Sequence, residues 1–235
     1  MKYSVVIPLK DEESNIEKLV DELEPVMNKL GRPWELILVD DGSTDSTPQI
    51  LKALAQEKNT LRVLTFDCNY GQTSAFDAGF KECKGEIVIT LDGDRQNNPA
   101  DIPLLLERLE GCDLVCGERI ARRDPPAKKI ISSLAKFVRR AVLKDPIRDT
   151  GCSLKVYRAS CLKRIPLFDG MHRFLPALFV IYGYKVDQMP VDHRERTAGK
   201  SKYNFFNRSF NTISDLLAVL WMSRRALRYK LRSSP

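Results

Sequence analysis

Long hydrophobic runs are missing from this 235-residue chain. A membrane-crossing helix needs ~20 consecutive apolar residues, and the longest candidate, 216–222, is far too short. Membrane contact is therefore expected to be peripheral. Met1-Lys2 leads straight into a strand pattern followed by charges, which predicts no signal peptide. The six cysteines, at 68, 83, 112, 116, 152 and 161, make no CxxC pair and no zinc spacing. Several stand in apolar strand-like segments, as in Asp113-Leu114-Val115-Cys116, where a thiol acts as a small hydrophobe. That argues against a disulfide framework and fits a reducing compartment. Neither GxGxxG nor GxxxxGK[ST] occurs, so there is no glycine-rich cradle for phosphates. Internal repeats and low-complexity tracts are also absent.

What is present begins with charge. Residues 1–116 hold 12 Lys and Arg against 22 Asp and Glu, a net −10. Residues 117–235 hold 26 against 9, a net +17, and the halves sum to the formal +7. Evenly solvated surfaces would mix the signs. An acidic half followed by a basic half points to a metal or nucleotide side and a polyanion or membrane side. Nucleic acid is not the expected polyanion, because aromatic stacking platforms among the basic residues are sparse.

The first half alternates two periodicities. Apolar runs at 3–8, 34–39, 61–66, 86–91 and 114–116 read as strands. Helical spacing falls between them at 14–30, 47–58, 73–83 and 103–109. This alternation predicts an α/β fold, a mostly parallel sheet with helices on both faces. After Gly117 the pattern changes. Residues 119–126 read as a charged, proline-bearing loop, and 127–143 as a basic amphipathic helix. Further strands are expected at 154–157 and 185–191, a mobile polar loop at 192–203, and a last helix at 205–227 with a basic end. The resulting division is one domain over 1–203, with 1–117 and 118–203 as its halves, and a basic amphipathic helix over 204–235.

Two strands end in carboxylates. Asp92-Gly93-Asp94 follows the strand at 86–91, and Asp40-Asp41 follows the strand at 34–39. Each alone reads equally well as a turn or a helix cap, and Asp45 or Ser46 is expected to cap the next helix. Together at one sheet edge, where open α/β sheets bind ligands, they suggest a nucleotide. Asp40 or Asp41 would accept hydrogen bonds from a base or a ribose hydroxyl. Asp92 and Asp94 would approach the diphosphate through a hard divalent cation.

At this point the residues carry a resemblance. The segments are Ser4-Val5-Val6-Ile7-Pro8, Asp11-Glu12-Glu13-Ser14-Asn15-Ile16, Leu38-Val39-Asp40-Asp41-Gly42-Ser43, Asn69-Tyr70-Gly71 and Asp92-Gly93-Asp94. In that order they resemble a family 2 glycosyltransferase of the GT-A fold. Four later segments resemble the polyprenyl-phosphate branch of that family: 94–99, 117–119, 148–153 and 196–203.

The resemblance implies that Asp92, Asp94 and Gln96 surround Mg²⁺ or Mn²⁺ on the diphosphate of a nucleotide-sugar donor. It implies that Pro8, Glu12 and Asp40 line the nucleoside pocket. Arg119, Lys128 and Ser132 fall where the family binds the acceptor phosphate. Arg196, Ser201 and Lys202 fall where a loop closes on the phosphates, so the catalytic set is Asp92, Asp94, Arg119 and Arg196. Lys10, Asp11, Arg95 and Lys128 depart from the residues usual at their positions, and a QxxRW signature is absent, which argues against repeated polymerisation.

The expected reaction is metal-dependent, inverting transfer of one sugar from a UDP- or GDP-sugar to a polyprenyl phosphate. Transfer to a glycan or glycolipid, or a weakly active nucleotide-sugar-binding subunit, are the competing readings. Neither His172 nor His193 is needed, since a phosphate monoester is already anionic at neutral pH. Arg173 is a site candidate or a surface arginine. Many relatives continue into membrane-spanning helices where this chain stops. The expectation is therefore attachment to an anionic membrane surface on the cytoplasmic side, or a separate small membrane protein as partner.

Overall fold

The computed structural model describes residues 1–120, 147–195 and 205–227, with side chains in the last segment from residue 214. The helix expected at 127–143 and the loop from 196 to 203 lie outside the described residues. So do Lys128, Ser132, Arg196, Ser201 and Lys202.

Seven strands form one sheet: β1 (Tyr3–Leu9), β2 (Trp34–Asp40), β3 (Leu61–Thr65), β4 (Ile87–Thr90), β5 (Leu114–Arg119), β6 (Lys155–Arg158) and β7 (Val186–Val191). Their spatial order is β3-β2-β1-β4-β6-β5-β7. Only β6 runs against the rest, pairing antiparallel with both β4 and β5. The sheet is thus mostly parallel. The helices that follow the strands are α1 (Ile16–Lys29), α2 (Thr47–Glu57), α3 (Gln72–Glu82), α4 (Ile102–Arg108), α5 (Ala159–Leu162), α6 (Leu175–Ile181) and α7 (Phe205–Arg225).

Strand alternation divides the core in two. Val5, Ile7, Leu9, Leu36 and Leu38 point to the face covered by α1, α2 and α4, together with Leu19, Leu23, Leu51 and Leu105. Val6, Ile37 and Val39 point to the opposite face, with Phe76 and Phe80 of α3, Phe179 of α6 and Val219 of α7. A central strand buried on both faces has no polar side to show, which is why residues 36–39 of β2 read as an unbroken apolar run between Glu35 and Asp40. No disulfide links any of the six cysteines, and five of them are buried.

One boundary differs in a way that matters. β5 does not stop at Cys116 but runs on to Arg119, because Glu118 pairs with Pro190 and Arg119 with Val191 of β7. Arg119 therefore sits on a strand end rather than in a loop. The short helices α5 and α6 escape the periodicity argument. One is a single turn, and the other is apolar nearly all round and buried.

Candidate active site

The C-terminal ends of β1, β2 and β4 deliver three acidic loops to one sheet edge. The loops after β1 and β2 are stitched together. Asp11 N–H donates to Ser43 Oγ at 2.8 Å, Thr44 N–H to Asp11 Oδ1 at 2.7 Å, and Glu12 N–H to Thr47 Oγ1 at 2.8 Å. Asp11 adopts a left-handed φ of 46°, which Asn and Asp tolerate better than most residues. Lys10 is turned onto the Gly42 carbonyl. Asp45, rather than Ser46, receives the Thr47 N–H at 2.9 Å. Glu12 Oε2 accepts from Asn15 Nδ2 at 2.8 Å, which fixes the carboxylate at the entrance to α1.

Asp40 and Asp41 are adjacent but differently committed. Asp41 is an anchor: Tyr70 N–H reaches Oδ1 at 2.7 Å and Gly71 N–H reaches Oδ2 at 2.9 Å. It thereby positions the loop that opens α3. Burial nonetheless pushes its carboxyl above the ordinary range, against the pull of those two N–H groups. Asp40 is fully buried. Its Oδ1 accepts from Ser43 N–H at 2.9 Å, while Oδ2 has no hydrogen-bond partner among the described residues. A buried carboxylate oxygen left without a donor is costly and rare. This oxygen is the acceptor that the Asp40 loop leaves uncommitted among the described residues.

The turn after β4 packs directly on these loops. A Cβ at Gly93 would stand 2.5 Å from Leu9 Cδ2, 3.3 Å from Glu12 Cγ and 3.6 Å from the Pro8 carbonyl. Only glycine lets the turn approach so closely. Leu9 is also the register partner of Asp40, so Pro8, Glu12, Asp40, Asp92 and Asp94 share one corner of the sheet edge. Gln72, the first residue of α3, donates from Nε2 to Asp92 Oδ1 at 2.9 Å.

Burial pushes the Asp92 carboxyl up, and the neighbouring Asp94 charge pushes it further. Ser153, Lys155 and Arg119 pull the other way without cancelling the rise. Asp94 is itself buried, and its Oδ1 accepts from Gln96 N–H at 3.2 Å. Among the described residues no group of three or more His, Cys, Asp and Glu side chains could hold a metal alone. Two carboxylates and an amide are hard oxygen donors. Mg²⁺ and Mn²⁺ sites of this kind keep positions for water and substrate phosphates. The residues present fit a cation shared with a diphosphate rather than one caged by protein.

Beyond the acidic corner lies a cationic one. Arg119 forms a two-pronged pair with Asp149, Nε to Oδ2 at 2.7 Å and Nη2 to Oδ1 at 2.8 Å. Burial works against its charge, but Asp149 outweighs this and raises the guanidinium above its ordinary value, with Asp92 contributing. Lys155, buried at the start of β6, acts on Asp92 from the same side. Thr73 Oγ1 lies 2.6 Å from His172 Nδ1, so His172 braces α3 next to Gln72. Arg173 acts on Asp215 of α7 rather than on the acidic corner.

Gln72, Asp149 and Lys155 were not singled out by motif reading. Asp149 stands in a quoted segment without a role, and Gln72 directly follows Asn69-Tyr70-Gly71. Lys155 becomes visible only once β6 is known to run antiparallel, which brings its first residues to the edge where β4 ends.

Comparison with known proteins identifies the family and the fold. The profile described as "Glycosyl transferase family 2" matches residues 4–165. The chain is 39% identical over 238 residues to dodecaprenyl-phosphate galacturonate synthase of Rhizobium johnstonii, covering 99% of this chain and 69% of the relative. It is 38% identical to an undecaprenyl-phosphate 4-deoxy-4-formamido-L-arabinose transferase of Pectobacterium atrosepticum, covering 92% of this chain and 67% of the relative. Among solved structures, glucosyl-3-phosphoglycerate synthase from Mycobacterium tuberculosis, with Mn²⁺, UDP and phosphoglyceric acid, superposes with a TM-score of 0.70 at 22% identity. That superposition covers 97% of this chain and 80% of that one, and it supports the fold. A profile spanning most of the chain, with relatives this close over nearly all of it, decides membership: the chain belongs to glycosyl transferase family 2 and is a glycosyltransferase.

Proposed function

We propose that this glycosyltransferase moves a single sugar from a UDP- or GDP-sugar onto a polyprenyl phosphate, inverting the anomeric centre, with Mg²⁺ or Mn²⁺ at Asp92, Asp94 and Gln96. The names of its relatives support the acceptor class. The observation that carries the donor side is the Asp92-Gly93-Asp94 turn seated on Pro8, Leu9 and Glu12, next to the half-satisfied carboxylate of Asp40.

In this reading Asp40 Oδ2 accepts a hydrogen bond from the base or ribose, and Pro8 and Glu12 wall the nucleoside. Asp41 holds the 69–71 loop in place. The bound cation supplies positive charge to the departing nucleoside diphosphate. The acceptor phosphate has a second pKa near ~6 and arrives anionic. It needs cations to bring it against a second anion, and no strong general base. Arg119, oriented by Asp149, supplies one of them. Lys128, Ser132, Arg196, Ser201 and Lys202 are assigned the remaining phosphate contacts on the resemblance of their segments. The acceptor oxygen attacks the anomeric carbon in line, the bond to the diphosphate breaks, and the leaving group departs with the electron pair. The proposed place of work is the cytoplasmic membrane face, reached peripherally or through a small membrane partner.

The test is incubation with a panel of UDP- and GDP-sugars plus undecaprenyl phosphate, followed by mass spectrometry of the lipid. One donor class is expected to yield a singly glycosylated polyprenyl phosphate. Asp94→Asn is expected to cut turnover by ~10²-fold or more, a loss of about 2.7 kcal/mol of transition-state stabilisation. Wild-type turnover in that variant would overturn the metal role, and no lipid product with any donor would overturn the acceptor.

A further inference from the structure

Arg95 lies between two proposed metal ligands, where a cation would oppose a metal, and the fold turns it away. Its φ of 59° is left-handed, a conformation that non-glycine residues hold only where their surroundings over-determine it. The guanidinium leads to Glu22 on α1, and Glu22 Oε1 receives Arg95 Nη2. The other oxygen, Oε2, receives Arg194 Nη1 at 2.6 Å.

Arg194 is tied to the same turn three more times. Its Nη2 donates to Asn98 Oδ1 at 2.8 Å, its N–H to the Gln96 carbonyl at 2.9 Å, and its own carbonyl accepts Gln96 Nε2 at 3.3 Å. An isolated antiparallel bridge between Asn97 and His193 completes the clasp. Segment 193–194 is thus fastened to 96–98, and one carboxylate on α1 holds both. The three side chains are partly buried, so solvent screens the pairs incompletely. Burial works against the Glu22 charge, but the two arginines outweigh it and lower its carboxyl below the ordinary range.

We infer that Glu22 is a positioning residue of the donor site: by holding Arg95 and Arg194 on its two oxygens, it fixes the turn that presents Asp94 and Gln96. This deepens the proposed metal role of that turn and rests on it. Without Glu22, the two guanidinium groups lose the carboxylate they share. The left-handed Arg95 then loses its ion pair, and Arg194, the neighbour of the Gln96 amide, is held by its bonds to Asn98 and Gln96 alone. Glu22 acts through Arg95 and Arg194, so its effect is on how well the ligands are placed.

The test is Mn²⁺ binding to the full chain, read from the electron paramagnetic resonance of free Mn²⁺, with UDP and separately with GDP. The wild type is expected to bind with at least one nucleotide. Glu22→Ala is expected to weaken Mn²⁺ about tenfold, the scale seen when a group that orients a metal ligand is lost. Glu22→Gln, which keeps one acceptor oxygen, should fall between. Arg62→Ala breaks the pairs with Glu35 and Glu82 elsewhere in the molecule, and should lower Tm while leaving Mn²⁺ affinity unchanged. If Glu22→Ala does not fold, Arg95→Ala and Arg194→Ala each remove one arm and should each weaken Mn²⁺. Wild-type Mn²⁺ affinity in Glu22→Ala, or in both arginine variants, overturns the positioning role alone. A wild type that binds no Mn²⁺ with either nucleotide overturns the metal reading and the positioning role with it.

Discussion

Glu35 and Asp40 stand near opposite ends of the same strand, and their carboxylates meet opposite fates. Glu35 is served from three directions, by Ser4 Oγ at 2.6 Å, Lys84 N–H at 2.7 Å and Arg62 Nη1 at 3.2 Å. Burial pushes its carboxyl up, but these partners outweigh burial and the net shift is downward. A lowered carboxyl contributes stability above its unfolded value of ~4.3 and loses it as pH falls through the folded value. Glu35→Gln is therefore expected to cost ~1–3 kcal/mol at pH 7, with the gap beginning to close only as pH falls below ~4.3, the unfolded value, and narrowing further through the lowered folded value. Urea unfolding of both proteins across that range checks it. Asp40, at the other end, keeps an oxygen without a donor among the described residues, the feature on which its proposed nucleoside contact rests.

The acidic corner was legible for a local reason: Asp40, Asp92 and Asp94 follow apolar runs that could only be strands. Glu35 was not legible, because inside a buried strand a charged residue declares itself only through partners 27–49 positions away. Arg95 was legible as an anomaly and nothing more. Its left-handed backbone and its partner on α1 are tertiary facts.

At the scale of elements, α3 carries much of the site. Its first residue holds Asp92, the loop before it is anchored by Asp41, and its second residue meets His172. The helix earns this place by lying flat on the sheet. A Cβ at Gly79 would stand 2.3 Å from Val6 Cγ1 and 3.4 Å from Val39 Cγ2. Gly79→Ala would gain helix propensity, worth roughly 1 kcal/mol, yet it must push the helix off β1. Overpacking of this kind costs ~1–3 kcal/mol. The expected net result is a lower Tm together with weaker nucleotide binding, because Gln72 moves with the helix. Thermal melts and UDP or GDP titrations read both, and a Gly79→Ala protein with a raised Tm and unchanged binding would contradict this packing. The alternation of periods made the parallel half of the sheet readable from sequence. β6 was readable as a strand but not as an antiparallel one, since direction is set by which edge has room for it. That direction is what brings Ser153 and Lys155 to Asp92.

At the scale of the whole molecule, the charge division has a described end in α7. One face of the helix is spent on the fold: Val219 is fully buried, with Leu216, Leu220 and Met222 packed against the second core. The other face exposes Leu217 at 60% and Trp221 at 64%, one turn apart, followed by exposed Arg224 and Arg225. Among the described residues no helix is long and apolar enough to cross a membrane. An apolar stripe with an aromatic anchor and basic neighbours has the composition of a helix that lies in a lipid interface. Near an anionic surface each Lys or Arg is worth roughly 1 kcal/mol. Arg224→Glu with Arg225→Glu is therefore expected to lower partitioning onto anionic phosphatidylglycerol vesicles by at least about tenfold, an effect that shrinks at high salt. Partitioning onto neutral phosphatidylcholine should change little. Leu217→Ser with Trp221→Ser should weaken binding to both, because apolar burial does not depend on lipid charge. Flotation of the wild type and both variants on each of the two lipids separates the two contributions. Equal losses on neutral and anionic vesicles in the arginine variant would mean that its charges serve the fold or a protein partner instead.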